Sequence, residues 1–244
     1  MIKIKDLSKK YGNKEAVKGI SFEVKEGEML ALLGVNGAGK TTTIKMLSCL
    51  TKPSGGSAII GGYDVVKDSD KVKELVGVST QDTAIAKNLT VEENLCFMAD
   101  IYLDHGKFSK KDRIDHVNDV ITSFKLDEVR TTRSSKLSGG WQRRLSIAMA
   151  IIGNPKVIFL DEPTLGLDVL ARRELWKEIE RLKKDKTIIL TTHYMEEAEA
   201  LADRIAIMID GKIVMMGDLE SLEAQTGQKG LENVFVSVAE GGSK

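Results

Sequence analysis

Residues 28 to 41, where an almost unbroken apolar run meets a glycine-rich loop, restrict the fold of this chain more than any other stretch. Glu28-Met29-Leu30-Ala31-Leu32-Leu33 lacks the alternation of a half-exposed strand and fits a strand buried on both faces of a parallel sheet. Gly34-Val35-Asn36-Gly37-Ala38-Gly39-Lys40-Thr41 follows at once, a match to G-x-x-x-x-G-K-[ST], and a helical stretch runs on from Lys40 towards Leu50. Strand, loop and helix in that order suit an anion: the glycines let backbone N–H groups turn inward, and the helix N-terminus adds partial positive charge. The motif's chemistry gives Lys40 the β and γ phosphates of a nucleotide and the Thr41 hydroxyl a Mg²⁺ ion, with Thr42 extending the binding loop.

A second apolar run, Val157-Ile158-Phe159-Leu160, ends in Asp161-Glu162. Ligands of open α/β sheets bind at the carboxyl ends of the strands, so Asp161 is placed to hold the metal. Glu162 is the candidate general base, since a second carboxylate beside a metal-bound one is costly unless it has a task. His193 follows Thr187-Ile188-Ile189-Leu190-Thr191 at the same edge and is within reach of a γ phosphate, whereas His105 and His116 lie in charged surroundings and read as surface residues. Leu137-Ser138-Gly139-Gly140 opens a further helix. A serine followed by two glycines at a helix start is a second anion cup with no use inside one molecule, so the chain is expected to work as half of something larger.

The rest of the pattern organises around these motifs. Ile2 to Leu7 and Ile20 to Val24 read as antiparallel strands joined by a turn at Tyr11-Gly12-Asn13-Lys14. Thr90-Val91-Glu92-Glu93 reads as a capping box opening a helix with Val91, Leu95, Met98 and Tyr102 on one face. The charged stretch 106 to 136, with Leu126 among its few apolar anchors, is expected to be helix and loop, and Gly139 to Ile152 a helix ending before Asn154-Pro155. Strand and helix then alternate: Val157 to Leu160, Arg172 to Leu182, Thr187 to Thr191, Glu196 to Ala202, and a hairpin of Ile205 to Met208 and Ile213 to Met216 around Asp210-Gly211. The Gly241-Gly242-Ser243-Lys244 end is expected to fray.

The Gly34 to Thr41 loop, the Leu137-Ser138-Gly139-Gly140 turn, Asp161-Glu162, Leu167-Asp168 and His193, in this order and at these spacings, resemble the ATP-binding subunit of ABC transporters over nearly the whole chain. The resemblance implies a single α/β ABC ATPase domain over 1–244. Its P-loop NTPase (RecA-like) core with an N-terminal antiparallel β subdomain would span 1–85 and 156–216, its α-helical insert 86–155, and a tail 217–244. It also implies two such subunits stacked head to tail with ATP and Mg²⁺ at the interface, each ATP lying on one subunit's Gly34 to Thr42 loop and capped by Ser138, Gly139 and Gly140 of the other. Carried over by position, Tyr11 stacks on adenine and Gln81 links Mg²⁺ and the attacking water to the helical insert. Asp168 crosses the dimer interface, and His193 holds the γ phosphate.

A narrower resemblance, to the ABC-2 type subgroup serving exporters of drugs, sodium or polysaccharide, rests on Glu162-Pro163-Thr164-Leu165-Gly166-Leu167-Asp168, Thr192 to Glu199 and Leu231-Glu232-Asn233-Val234-Phe235. Three residues depart from the common family pattern: Trp141 where Gln is usual, Val169 where Pro often follows, and Thr80 where Pro is frequent. None removes a phosphate contact.

Composition narrows the partners. Lys plus Arg and Asp plus Glu are equal at 36 each, so there is no global field for nucleic acid or an anionic membrane. Cys49 and Cys96 have no metal-ligand spacing and suit a reducing compartment. No stretch approaches the roughly 18 apolar residues of a membrane helix. The expected partners are an integral membrane permease subunit and a second copy of the chain or a homologous ATPase subunit. The expected location is cytoplasmic, on the inner face of the membrane through the permease. Gln81 to Tyr102 is the expected transmitter to that permease. The alternative is a soluble ABC ATPase of DNA repair, chromosome structure or translation, but the chain lacks sustained heptads, zinc-spaced cysteines and a second copy of each motif.

Overall fold

The computed structural model describes residues 1–103 and 106–241, so His105 and residues 242–244 lie outside the described residues. The chain opens with β1 (Ile2–Tyr11) and β2 (Lys14–Val24), then β3 (Met29–Leu33), the glycine loop and α1 (Lys40–Leu47). β4 (Gly55–Ile60), β5 (Tyr63–Asp64), α2 (Ser69–Leu75) and β6 (Val76–Ser79) follow, then α3 (Val91–Tyr102), α4 (Lys110–Ser123) and α5 (Gly139–Ile151). The second half alternates β7 (Val157–Asp161), α6 (Val169–Leu182), β8 (Thr187–Thr192), α7 (Met195–Leu201), β9 (Arg204–Ile209) and β10 (Lys212–Gly217), and closes with α8 (Leu219–Thr226) and α9 (Leu231–Gly241).

Two sheets result. An antiparallel sheet of order β2-β1-β4-β5 faces a sheet of order β10-β9-β3-β8-β7-β6, parallel except for the β9–β10 hairpin. Alternate residues of the central strands serve different cores, as the two-residue period of a strand requires. Leu30, Leu32, Phe159, Ile189, Ala206 and Met208 pack with α1 and the antiparallel sheet. Met29, Ala31, Leu33, Ile158, Leu160, Ile188 and Leu190 face the helices on the other side. The parallel register sets Leu33 beside Thr192, Asp161 beside Thr191 and Ser79 beside Leu160, which brings four carboxyl ends to one edge.

Local chemistry moves several boundaries. α1 stops at Leu47, short of Leu50, because the Ser48 hydroxyl bonds back to the Ile44 carbonyl at 2.8 Å and Cys49 turns left-handed at φ 60°. α6 starts at Val169, ahead of Arg172, because Asp168 Oδ1 accepts the Leu170 and Ala171 N–H groups, each at 3.0 Å. The Thr90 capping box is present in both directions. Residues 219–241, set apart in sequence as a tail, form two helices whose Leu222, Leu231, Val234 and Phe235 are buried in the helical-side core. His116, expected at the surface, is half-buried: α4 crosses the end of α5 and brings the ring 2.8 Å from the Ile152 carbonyl.

Trp141 is partly buried against the same core, and the Arg144 guanidinium lies over its ring at 5.2 Å. Arg144 in turn donates to Glu178 at 2.9 Å and Glu174 at 2.6 Å, so the unusual tryptophan belongs to the joint between α5 and α6. Burial raises the Glu178 carboxyl's pKa, and the attraction of Arg144 and Lys125 only partly offsets it. Removing Glu178 leaves the buried Arg144 with only the more exposed Glu174 to compensate its charge. Glu178→Ala is therefore expected to lower unfolding free energy in urea by about 3 kcal/mol. Glu174 is more than half exposed, and Glu174→Ala is expected to cost under about 1 kcal/mol in the same measurement.

Candidate functional site

The glycine loop is shaped by close approach and backbone conformation. A Cβ at Gly34 would lie 2.3 Å from the Met208 carbonyl oxygen. Gly39 sits at φ +108°, and its Cβ would meet the Ala16 carbonyl oxygen at 2.5 Å. Neither position admits a side chain, and the loop stays closed against β2 and β9. α1 carries no acidic residue in its first turn and no side-chain cap, so its free N–H groups can serve an anion.

Asn36 to Thr42 line a cleft of about 470 Å³ together with Tyr11, Gln81 and Glu162. That volume lies within the ordinary range for small-molecule sites. Tyr11 is 48% exposed with the Lys9 ammonium over its ring, which leaves aromatic surface for a flat ligand. Gly34 and Val35 contribute their carbonyls, which accept from Lys40 Nζ at 2.7 and 3.3 Å.

Lys40 Nζ also lies 3.1 Å from Glu162 Oε1, and both side chains are 5% exposed. His193 Nδ1 lies 2.7 Å from Glu162 Oε2, so the carboxylate is held at both oxygens. Glu162 itself has a positive φ of 51°, uncommon for a residue with a side chain. The turn is sustained by its N–H, which donates to the Thr191 carbonyl at 3.1 Å and hydroxyl at 3.0 Å. Asp161, also buried, accepts from the Thr41 hydroxyl at 3.0 Å and the Thr191 hydroxyl at 2.6 Å. A hydroxyl and a carboxylate side by side at a phosphate loop form a hard oxygen donor set of the kind that Mg²⁺ takes.

Sequence reading missed two residues here. Arg143 of α5 is 4% exposed and donates to the carbonyls of Thr80 at 2.7 Å, Gln81 at 3.0 Å and Glu162 at 2.8 Å. Burial depresses its pKa, against the opposing pull of Asp161, Glu197 and Glu162. Glu197 of α7 is fully buried and accepts from the Thr164 hydroxyl at 2.7 Å and the Trp176 indole at 3.1 Å, bracing the segment after Glu162. Burial raises the Glu197 carboxyl's pKa above its ordinary range despite the bonds from Thr192, Thr164 and Trp176.

The structure does not bring Ser138 to this cleft. Leu137 is buried, while Ser138 and Gly139 are exposed at the start of α5, where Ser138 makes no side-chain cap. Asp168 is exposed and caps α6 of its own chain.

The family model for ABC transporters matches residues 17–165. The linearmycin resistance ATP-binding protein LnrL of Bacillus subtilis is 37% identical over 97% of this chain and 75% of its own length. The human phospholipid-transporting ATPase ABCA3 is 41% identical over 93% of this chain, which spans only 13% of that protein. Among solved structures, a dimeric ATP-binding cassette in a post-hydrolysis state with ADP and Pi superposes with a TM-score of 0.81 at 28% identity, over 90% of this chain and 99% of that one. With the family match covering more than half of its residues and LnrL matched across most of both lengths, the chain belongs to the ABC transporter family, where it is similar to the ATP-binding subunits.

Proposed function

We propose that two ATP-binding chains close head to tail over two Mg-ATP molecules and drive a separate membrane permease in export. The observation that carries the dimer is the pair Gly139 and Gly140. Unlike Gly39, neither is at positive φ, and unlike Gly34, neither is crowded: a Cβ at Gly139 would meet nothing within 4 Å while one at Gly140 would make ordinary contacts. Nothing among the described residues requires glycine there. A turn that is small, exposed and uncapped at the head of a helix suits close approach by an anion held on another molecule. Exposed Val35, Leu165, Val169 and Leu170, next to the loop and to Asp168, supply apolar surface for the same contact.

In this reading the Gly34 to Thr42 loop cradles the phosphates, Tyr11 stacks on the base, and Thr41, Asp161 and Gln81 would hold Mg²⁺, which when bound neutralises charge on the phosphate oxygens. Lys40 is paired with Glu162, and an incoming phosphate gives the ammonium a competing anion. Glu162, released from Lys40 but still held by His193, then takes the proton of the attacking water. His193 keeps the carboxylate aimed and contacts the γ phosphate.

The permease reading rests on a second cleft of about 330 Å³, which Leu50, Met98 and Tyr102 line alongside α2, β6 and α5. Leu50, Phe97 and Ile101 stand 61%, 57% and 58% exposed, an apolar face that the described residues leave open. A partner pressing there also reaches the loop before α3, whose Lys87 and Leu89 carbonyls accept from Ser135 and Ser134, three and four residues ahead of Ser138. No helix among the described residues is long and apolar enough to cross a membrane. Export is favoured by the likeness to LnrL, a resistance protein by name.

Glu162→Gln is expected to trap an ATP-bound homodimer that elutes from a sizing column at twice the monomer mass in saturating Mg-ATP. A variant that stays monomeric there overturns the sandwich. Ser138→Arg is expected to lower turnover by at least about a hundredfold with ATP affinity of the monomer held within about twofold. Equal loss of both would put the Ser138 turn in its own chain's site.

A further inference from the structure

Arg143 is a buried charge whose hydrogen-bond partners among the described residues are all backbone carbonyls, those of Thr80, Gln81 and Glu162. No carboxylate lies within ion-pair distance of it among the described residues, so it is not half of a stabilising salt bridge. A guanidinium presents five donors in a planar fork, which suits three acceptors brought from different parts of the chain. Those acceptors are the two residues that follow β6 and the peptide that turns Glu162 out of β7.

The helix that carries Arg143 also carries the Ser138 turn. The Gln142 side chain ties them further, donating to the Leu137 and Ser134 carbonyls at 3.1 and 3.3 Å, and its N–H bonds the Ser138 carbonyl at 2.9 Å. Arg143 lies five residue steps along the helix from Ser138, about 7.5 Å along a rigid rod. A displacement of the turn is therefore passed to the guanidinium and from it to Gln81 and Glu162.

Resting on the head-to-tail reading, we infer that Arg143 is a positioning residue that makes the geometry of Glu162 and Gln81 at one ATP depend on the docking of the same chain's Ser138 turn against the other ATP. Each site is then completed by two events: the partner's turn closes over its phosphate, and its own chain's α5 seats against the distant nucleotide. The two hydrolysis sites are coupled through one side chain in each subunit.

Full-length Arg143→Lys and Arg143→Met test this. Lysine keeps the charge but offers a compact ammonium that cannot span three carbonyls; methionine keeps much of the volume and no donor. Both are expected to lower kcat about tenfold or more with the half-saturating ATP concentration little changed, and to bring the Hill slope for ATP from near two towards one. The same substitutions in the Glu162→Gln chain are expected to leave the ATP-dependent dimer intact on a sizing column and the melting temperature within a few degrees. An unchanged kcat, or a lowered kcat with the wild-type Hill slope, overturns the coupling. Loss of dimer and melting temperature together reduces Arg143 to a stitch in the fold. If Glu162→Gln alone never dimerises, it is the head-to-tail reading that fails, and the coupling fails with it.

Discussion

The Glu162 carboxylate is the point on which this arrangement turns. It lies buried between the Lys40 ammonium and the His193 imidazole, joining the phosphate loop, the end of β7 and the end of β8 in one contact. A charge taken out of water is costly unless both its oxygens are satisfied, and here they are. The left-handed backbone at Glu162 adds a cost of about 1 to 3 kcal/mol. The fold meets that cost with bonds from its N–H to Thr191 and with a carbonyl held by Arg143 and the Leu165 N–H. The strain aims the side chain out of the strand and into the cleft, where a continuing strand could not direct it.

Much of this was legible because it is local or periodic. The strand, loop and helix around Gly34 are contiguous, the apolar runs of β7 and β8 announce buried strands, and the Thr90 box states its own hydrogen bonds. β5, α2 and β6 were not legible. β6 is four residues long and contains Gly77, whose Cβ would lie 2.0 Å from the Ala150 carbonyl, so its glycine answers to α5, more than seventy residues later. Arg143 and Glu197 were missed for the same reason: a buried charge is explained by the acceptors that surround it, and theirs come from distant segments. His116 looked like a surface residue because its sequence neighbours are charged, whereas its partner is a carbonyl at the end of another helix.

Glycine illustrates how one residue type carries two meanings. At Gly34 and Gly39 the chain itself forbids a side chain, through carbonyls closer than a Cβ tolerates. At Gly139 the space is open and the backbone ordinary, so no contact among the described residues accounts for the missing side chain. Sequence places both sets in phosphate motifs; the crowding at Gly34 and Gly39 belongs to a loop that shapes its own pocket, and the open space at Gly139 fits the proposed role of a turn that serves another chain.

That separation gives Arg143 its place. In the proposed dimer, a turn that serves another chain's ligand sends no information home unless something rigid joins it to the local site, and α5 with its Gln142 and Arg143 contacts would be that join. A carboxylate partner would have held the guanidinium more tightly, yet it would have fixed Arg143 to one element. Carbonyls from the β6 exit and from the Glu162 peptide make it report on two elements at once. Burial weakens its hold on the proton, and the surrounding acidic groups counter that effect. A guanidinium stays charged far outside the physiological pH range, so the link does not come and go with pH as a buried lysine's would.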